Sequence, residues 1–337
     1  MQEPQQYPPG TQKNYKSFSS RDLMMEKGKE LEFSRRAGGG KGEPGVPPKE
    51  PGIVVEFCGG LGNQLFQICA GYAASRRFKC PLYTKKSIHH NHHQNSVNYF
   101  SSIFHFMGTH IEEGEYDAFL EKMFPVKKNY IHNFIERFMI STEAYSIDHV
   151  EVPVIFNQYF QFYPPLRPYE EELRELLTIG LSPFIKAIKC DYLESGVKLE
   201  NSAFLHIRRG DYLMYPDRHP VLPLSYYETC IEKLTELNPN IQKIFVFSDD
   251  VAWVQSEAFP INCRPDIEIV ETNDEIYTLA FMSICKGGSI CANSSFSWWG
   301  AFLGAHERRS PVFVPDTWIL NTFRAQLFPE EFITVKI

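Results

Sequence analysis

From residue 53 onward, short apolar runs stop abruptly at polar or glycine-rich clusters. They alternate with stretches whose apolar positions recur every three or four residues. Ile53-Val54-Val55-Glu56-Phe57 is β-rich and feeds Cys58-Gly59-Gly60-Leu61-Gly62-Asn63-Gln64. After that turn Leu65, Phe66, Cys69, Tyr72 and Ala73 repeat at helical spacing to about Arg77, which predicts strand, glycine loop, helix. Pro81–Thr84, the aromatic-rich runs Tyr99–Phe106 and Phe134–Ile140, and a strand from Val154 into a polar exit at Gln161 follow. Tyr169–Leu177 and Pro183–Leu193 are expected as two helices.

The second half alternates more regularly. Strand Ala203–Ile207 leads to Arg208-Arg209-Gly210-Asp211, and helix Leu224–Leu237 is stopped by Asn238-Pro239. Strand Ile244–Phe247 ends at Ser248-Asp249-Asp250, with a short helix expected over Val251–Ala258. Strand Ile267–Val270 precedes helix Glu275–Cys285, for which Asp274 is a candidate cap. Strand Ser289–Ala292, loop Asn293–Ser297, helix Phe296–Ala305 and strand Val312–Val314 complete the series. Repeated β-α-β units predict a parallel sheet covered on both faces, and the opening unit is Rossmann-like. The division expected is a disordered segment over 1–52, poor in sustained apolar period, then one Rossmann-like domain over 53–195 and another over 196–337.

Composition narrows the class. A chain of 337 residues, 43% hydrophobic and 14% aromatic, has enough material for two cores. Its formal charge of −7 argues against a nucleic-acid or anionic-membrane binder, so any anion must be held by a local cluster. The 8 cysteines form no C-x-x-C pair and lie mostly in apolar runs, as small core residues of a reduced protein do. With no transmembrane run and no signal-peptide core, a cytoplasmic protein is expected. His89, His90, His92 and His93 lack acidic or cysteine partners nearby and read as a solvated loop, not a metal site.

In an open parallel sheet, ligands sit beyond the carboxyl ends of the strands where strand order switches. Three clusters fall at such ends: Arg208 to Asp211, Ser248 to Asp250, and Asn293 to Ser297. Arginines and hydroxyls suit a diphosphate, loop amides at the Phe296 helix start add positive dipole, and Asp249 suits a ribose hydroxyl or a guanine edge. Each has a plainer alternative: an Arg208–Asp211 salt bridge, helix caps at Asp249-Asp250 and Ser294, core packing for Trp298-Trp299. The Gly59-Gly60-x-Gly62 run lacks dinucleotide spacing.

Taken together, Gly59 to Gln67, Tyr159-Phe160-Gln161, His206 to Tyr212, Phe247 to Asp250 with Trp253, and Asn293 to Ala301 resemble the α-1,2-fucosyltransferases of glycosyltransferase family 11, in that family's order. The resemblance implies a GT-B-like α/β fold of two facing Rossmann-like domains. It implies an inverting, metal-independent transfer from GDP-β-L-fucose, with no cofactor, to the 2-hydroxyl of an acceptor glycan, typically a terminal β-galactose. On it, Arg208 binds the diphosphate, His206 contacts the guanosine part and Asn63 approaches the fucose or the acceptor. Arg209, Ser248, Asp249, Asn293, Ser294, Ser295, Phe296, Ser297, Gly60 and Gly62 would complete the donor site.

Asp211 is the first candidate for the general base and equally a brace for the arginines; Asp217, His219 and Glu56 are further candidates. Fucosyl transfer in another linkage or to protein, and glycan or nucleotide-sugar binding without catalysis, remain as alternatives. Animal members of the family carry a membrane anchor and a lumenal stem, so a Golgi location with the anchor absent from this sequence is the alternative to the cytosol.

Overall fold

The computed structural model describes residues 50–86, 99–125, 130–131, 152–157, 159–256, 266–305, 310–320 and 326–337. The disorder expected over 1–52 falls almost wholly outside them, as do the histidine loop at 89–93 and the aromatic run 134–140. Among the described residues no helix is long and apolar enough to cross a membrane.

The first half opens with β1 (Ile53–Val55), helix α1 (Leu61–Phe78) and β2 (Leu82–Lys86). Then come β3 (Thr109–Glu112), α2 (Tyr116–Met123), β4 (Tyr130–Ile131) and β5 (Val154–Phe156). The strands form a parallel sheet in the order β3-β2-β1-β5-β4. β1 and β5 are wholly buried three-residue strands, as a central parallel strand covered on both faces requires. Gly71 lets α1 lie against this sheet, since a methyl there would stand 2.4 Å from the Val55 side chain.

The connecting helix α3 (Glu170–Tyr192) is continuous over 23 residues, where two helices were expected. Pro183 cannot donate to the carbonyl of Ile179, but the Ser182 hydroxyl donates to that carbonyl at 2.8 Å and replaces the missing bond. Both halves hold α3. Tyr72 of α1 donates to Glu172 at 2.7 Å, while Tyr192 at its far end packs edge-on against Phe245 and donates to Glu268.

The second half contains β6 (Ser202–Ile207), α4 (Leu224–Leu237), β7 (Lys243–Ser248), a single turn α5 (Val251–Val254) and β8 (Asp266–Ile269). It continues with α6 (Glu275–Ile284), β9 (Gly288–Ile290), α7 (Ser295–Gly304), β10 (Val312–Pro315) and β11 (Ile333–Val335). All pairs are parallel, in the order β11-β10-β9-β6-β7-β8. One sheet face packs Leu205, Ile207, Ile244 and Val246 against Tyr226, Cys230 and Leu234 of α4. The opposite face sets Phe245 and Phe247 against Phe281 of α6, at 4.7 and 5.4 Å between ring centroids. The Asp274 carboxylate caps α6 by accepting from the amides of Ile276 and Tyr277, as its position before the apolar period predicts.

The protein is thus α/β with two parallel sheets in a GT-B-like arrangement. Trp298 and Trp299 are fully buried, and Phe66 of α1 packs on them at 4.6 and 5.0 Å, so the tryptophan pair is core between α1 and α7 and offers no sugar platform. Cys69, Cys230, Cys285 and Cys291 are buried free thiols as expected, whereas Cys190 is exposed and Cys58 and Cys80 are half-buried.

The backbone of α3 passes so close to the 102–103 loop that a methyl at Gly180 would stand 2.7 Å from Ile103 Cα. Gly180→Ala is expected to lower stability by about 1–3 kcal/mol despite its gain in helix propensity. Gly114→Ala, where a methyl meets nothing within 4 Å, should stay within about 0.5 kcal/mol. Urea midpoints of the two variants test this contrast.

Candidate active site

Each sheet has one strand whose neighbours lie on either side in non-consecutive order. β6 stands between β7 and β9, and β1 between β2 and β5. The loops leaving these strands diverge and leave a crevice between them. The two crevices share a wall, because α1 and α7 begin against one another. A methyl at Gly62 would stand 2.4 Å from the Phe296 nitrogen and 2.6 Å from the Ser295 carbonyl carbon, so only glycine fits there. Next to it, Asn63 Oδ1 accepts from Ser295 Oγ at 2.8 Å and from Gln161 Nε2 at 2.6 Å, a junction of three distant chain segments. Neither helix has an acidic residue in its first turn, so the positive ends of two backbone dipoles adjoin without a countercharge of their own. Gly59 turns with φ of 75°, and among the described residues a methyl at Gly60 would meet nothing within 4 Å.

The adjacent arginines do not stand side by side. Successive residues leaving a strand point to opposite faces. Arg208 faces Asp211 and Asp249, with Nη2 at 2.8 Å from Asp211 Oδ1 and Nη1 at 3.1 Å from Asp249 Oδ2. Arg209 turns the other way, its Nε donating to Asp250 Oδ2 at 3.1 Å and its guanidinium lying 3.9 Å over the Trp253 ring. The mutual repulsion expected of the pair is relieved by this divergence.

The carboxylates also differ. Asp249 Oδ1 accepts from the backbone N–H of Arg209 at 2.9 Å, and Asp249 presses so close to Gly210 that a methyl there would stand 2.6 Å from Oδ2. Its side chain is 14% exposed; that of Asp211 is 49% exposed, with Arg208 as its ion-pair partner. Asp250 caps α5 by accepting from Trp253 N–H at 3.2 Å, and Ser248 Oγ accepts from Asp250 N–H at 2.9 Å. Both the capping role and the arginine pairing anticipated for this cluster are present.

In the third cluster the side chains divide by task. Asn293 Nδ2 donates to the carbonyls of Pro220 and Trp318 at 3.0 and 3.2 Å, tying three loops together. Ser294 caps α7, and the buried Ser297 hydroxyl donates to the Ser294 and Ala292 carbonyls, so both hold the helix start. Ser295 faces Asn63, and Phe296 packs at 5.9 Å from His206. Tyr212 braces this arrangement, donating to the Asn293 carbonyl at 2.8 Å and stacking on His219 at 4.5 Å.

Of the other base candidates, Glu56 accepts from Tyr116 at 2.8 Å in the first half, Asp217 lies exposed in the loop after Asp211, and His219 is taken by the Tyr212 stack. Among the described residues no group of three or more His, Cys, Asp or Glu is gathered to hold a metal ion.

Residues 120–333, more than half the chain, match the family model for glycosyl transferase family 11. The chain belongs to glycosyl transferase family 11. Two Escherichia coli relatives of this glycosyltransferase span nearly their full length in the match. An α-1,2-colitosyltransferase is 28% identical over 84% of this chain and 99% of its own. The O-antigen biosynthesis glycosyltransferase WbnK is 27% identical over 82% and 98%. Among solved structures, the fucosyltransferase NodZ from Bradyrhizobium is 12% identical, with a TM-score of 0.44, over 75% of this chain and 93% of its own.

Sequence patterns marked the polar strand ends of this family member but not the link between Gln161, Asn63 and Ser295. Those residues lie 98 and 232 positions apart, and no local spacing signals such a contact.

His206 is buried at the end of β6, and its Nδ1 has no hydrogen-bond partner among the described residues. Burial and then the neighbouring Arg208 push its imidazole down to about 3 from 6.5. His110 is pushed down to about 4, chiefly by burial; its ring accepts from Thr84 and donates to the Phe104 carbonyl in the neutral form. As pH falls below 6.5, the unfolded chain takes up protons that these folded histidines refuse. Their contribution to stability is therefore present above about 6.5 and is lost progressively towards 4 and 3. His206→Asn should flatten the fall in urea midpoint between pH 6.5 and 4 relative to wild type. Parallel curves for the two proteins would show that the imidazole is not held neutral.

Proposed function

We propose that this family 11 glycosyltransferase moves L-fucose from GDP-β-L-fucose to the 2-hydroxyl of a terminal galactoside, with inversion and without a metal ion. The observation that carries the reading is Arg208, fixed by Asp249 at the switch point of the second sheet. A guanidinium has five N–H donors in a planar fork, and the two carboxylates approach only its terminal nitrogens. Donors remain for a diphosphate.

Charge bookkeeping favours an exchange of partners. Arg208 and Arg209 carry two positive charges against three negative charges on Asp211, Asp249 and Asp250. A diphosphate arriving at Arg208 adds negative charge to a cluster that already carries a surplus of one, which favours the departure of a carboxylate. Asp249 is held by a backbone N–H as well as by Arg208; Asp211 is the more exposed and the more loosely held. Donor binding would thus release Asp211, which acts as the brace in the empty protein and as the base in the loaded one. The acceptor oxygen attacks fucose C1 from the face opposite GDP, and the C1–O bond to the β-phosphate breaks. Its electron pair stays on the phosphate, facing Arg208, while the hydroxyl proton passes to Asp211.

Asn63 is assigned to the fucose or the acceptor from the first half, since its carboxamide is already oriented by Gln161 and Ser295. Gly60 and Gly62 allow close approach to the start of α1. His206 and Asp249 lie towards the guanosine side, with Arg209, Ser248, Asn293, Ser294, Phe296 and Ser297 shaping the loops. A colitosyl donor is the second reading, favoured by the relative named for that sugar.

Purified protein incubated with GDP-fucose or the corresponding colitosyl nucleotide, a galactoside panel and EDTA tests the donor, the metal and, by NMR of the product, the linkage. Full turnover in EDTA and an α-1,2-fucosyl product are expected; a strict divalent requirement overturns the scheme. Arg208→Ala should stay folded and lose a hundredfold or more in kcat, on the order of one lost oxyanion donor. Asp211→Asn should lower kcat by about a hundredfold while leaving the donor KM unchanged or lower. A raised donor KM with unchanged kcat would reduce Asp211 to a brace.

A further inference from the structure

Helix α1 buries two glutamines that the transfer chemistry leaves without a task. Gln64 is 1% exposed and Gln67 is wholly buried, among the equally buried Leu65, Phe66, Ile68 and Cys69. A carboxamide taken out of water is costly unless its polar atoms find partners. The ladder beside β1 reaches Glu56, whose N–H donates to the Phe156 carbonyl at 2.9 Å. Two residues further on, Gln67 serves the backbone in place of a strand. Its Oε1 accepts from the Cys58 N–H at 3.1 Å and its Nε2 donates to the Cys58 carbonyl at 3.2 Å, with the Cys58 Sγ 2.9 Å from the same nitrogen. A carboxamide can hold both backbone groups of one residue because it is donor and acceptor at once; a carboxylate or a thioether cannot. Gln64 Nε2 donates to the next carbonyl, that of Gly59, at 2.8 Å.

The turn that these side chains hold cannot hold itself. Glycine adopts either sign of φ with similar ease, so the φ of 75° at Gly59 is selected by what surrounds the Gly59-Gly60 pair. Asn63 lies directly against it. A methyl at Gly59 would stand 2.6 Å from Asn63 Nδ2 and 3.3 Å from Asn63 Cβ, and the Asn63 N–H donates to the Gly60 carbonyl at 3.0 Å. Among the described residues the side-chain hydrogen bonds of Asn63 are made by Oδ1, which accepts from Gln161 and Ser295 and leaves Nδ2 to meet a substrate. A shift of the turn therefore shifts that nitrogen. An apolar residue in place of Gln67 would fill the same space and leave the Cys58 N–H and carbonyl to find other partners.

We propose that Gln67 and Gln64 are positioning residues of the transfer reaction, acting through the Cys58–Gly60 turn on the Asn63 carboxamide. The inference rests on the role assigned to Asn63 above, and its test reads that carboxamide directly as well as through turnover. In NMR of protein isotopically labelled at asparagine, the Asn63 Nδ2 protons are identified by their loss in Asn63→Ala. Gln67→Met and Gln64→Met should shift or broaden this pair and leave the affinity for GDP unchanged. Each should lower kcat by about tenfold at unaltered donor KM, as a small misplacement of a substrate-facing group does. Neither should lower kcat further when added to Asn63→Ala, since the effect passes through that residue. Gln64→Met, which gives up a single bond, carries the test if Gln67→Met does not fold. An unmoved Asn63 pair, or losses in kcat that multiply with that of Asn63→Ala, overturns the proposal. A wild type that transfers neither fucose nor the colitosyl group counts against the donor reading instead, and the NMR comparison alone then decides the role of the glutamines.

Discussion

Helices α1 and α7 meet backbone to backbone, where Gly62 at the start of α1 touches Ser295 and Phe296 at the start of α7. Helices normally keep 8–10 Å between axes because side chains intervene. Here one glycine removes the spacer at the end of the contact, while Phe66 and the buried tryptophan pair fill the space further along. The helix starts are consequently brought together at the point where both sheets open their crevices. Amides with no intrahelical partner then gather in one place, and nothing acidic in either first turn cancels them.

Around this junction the polar groups separate into those that hold and those that are free to exchange. Asn293, Ser294, Ser297 and Asp250 are engaged in turns, caps and loop ties, each satisfying backbone groups that would otherwise be buried without partners. Asp249 belongs with them, since it joins the arginine loop to the end of β7. Asp211 stands apart through its exposure. Displacing Asp211 alone would leave the rest of this geometry in place.

The second half was legible in outline because its strands are apolar, end sharply and alternate with helices of ordinary length. Helix α4 begins and ends at Leu224 and Leu237 as its period and the Asn238-Pro239 stop predict. The first half was harder. β3 is exposed at both ends and carries little apolar signal, and β11 pairs only at the sheet edge. The break expected in α3 is absent, and the Ser182 hydroxyl takes the Ile179 carbonyl that Pro183 leaves without an N–H. At the site, the arginine and serine clusters could be located from strand ends alone. The Asn63 junction could not, because it joins residues far apart in sequence.

The divergence of Arg208 and Arg209 also makes the site a matter of strand register. β6 pairs with β7 over six positions, from Ser202 opposite Lys243 to Ile207 opposite Ser248. A slip by one residue would present Arg209 to the crevice and turn Arg208 towards Trp253, with composition and net charge unaltered. Such a chain would still contain both arginines in order, yet the guanidinium in the crevice would have exchanged its carboxylates. What guards against this is the burial pattern beneath: Leu205 and Ile207 belong to the α4 face, and Phe204 and His206 to the other. The hydrophobic residues of the strand therefore encode which of two identical side chains faces Asp211 and Asp249.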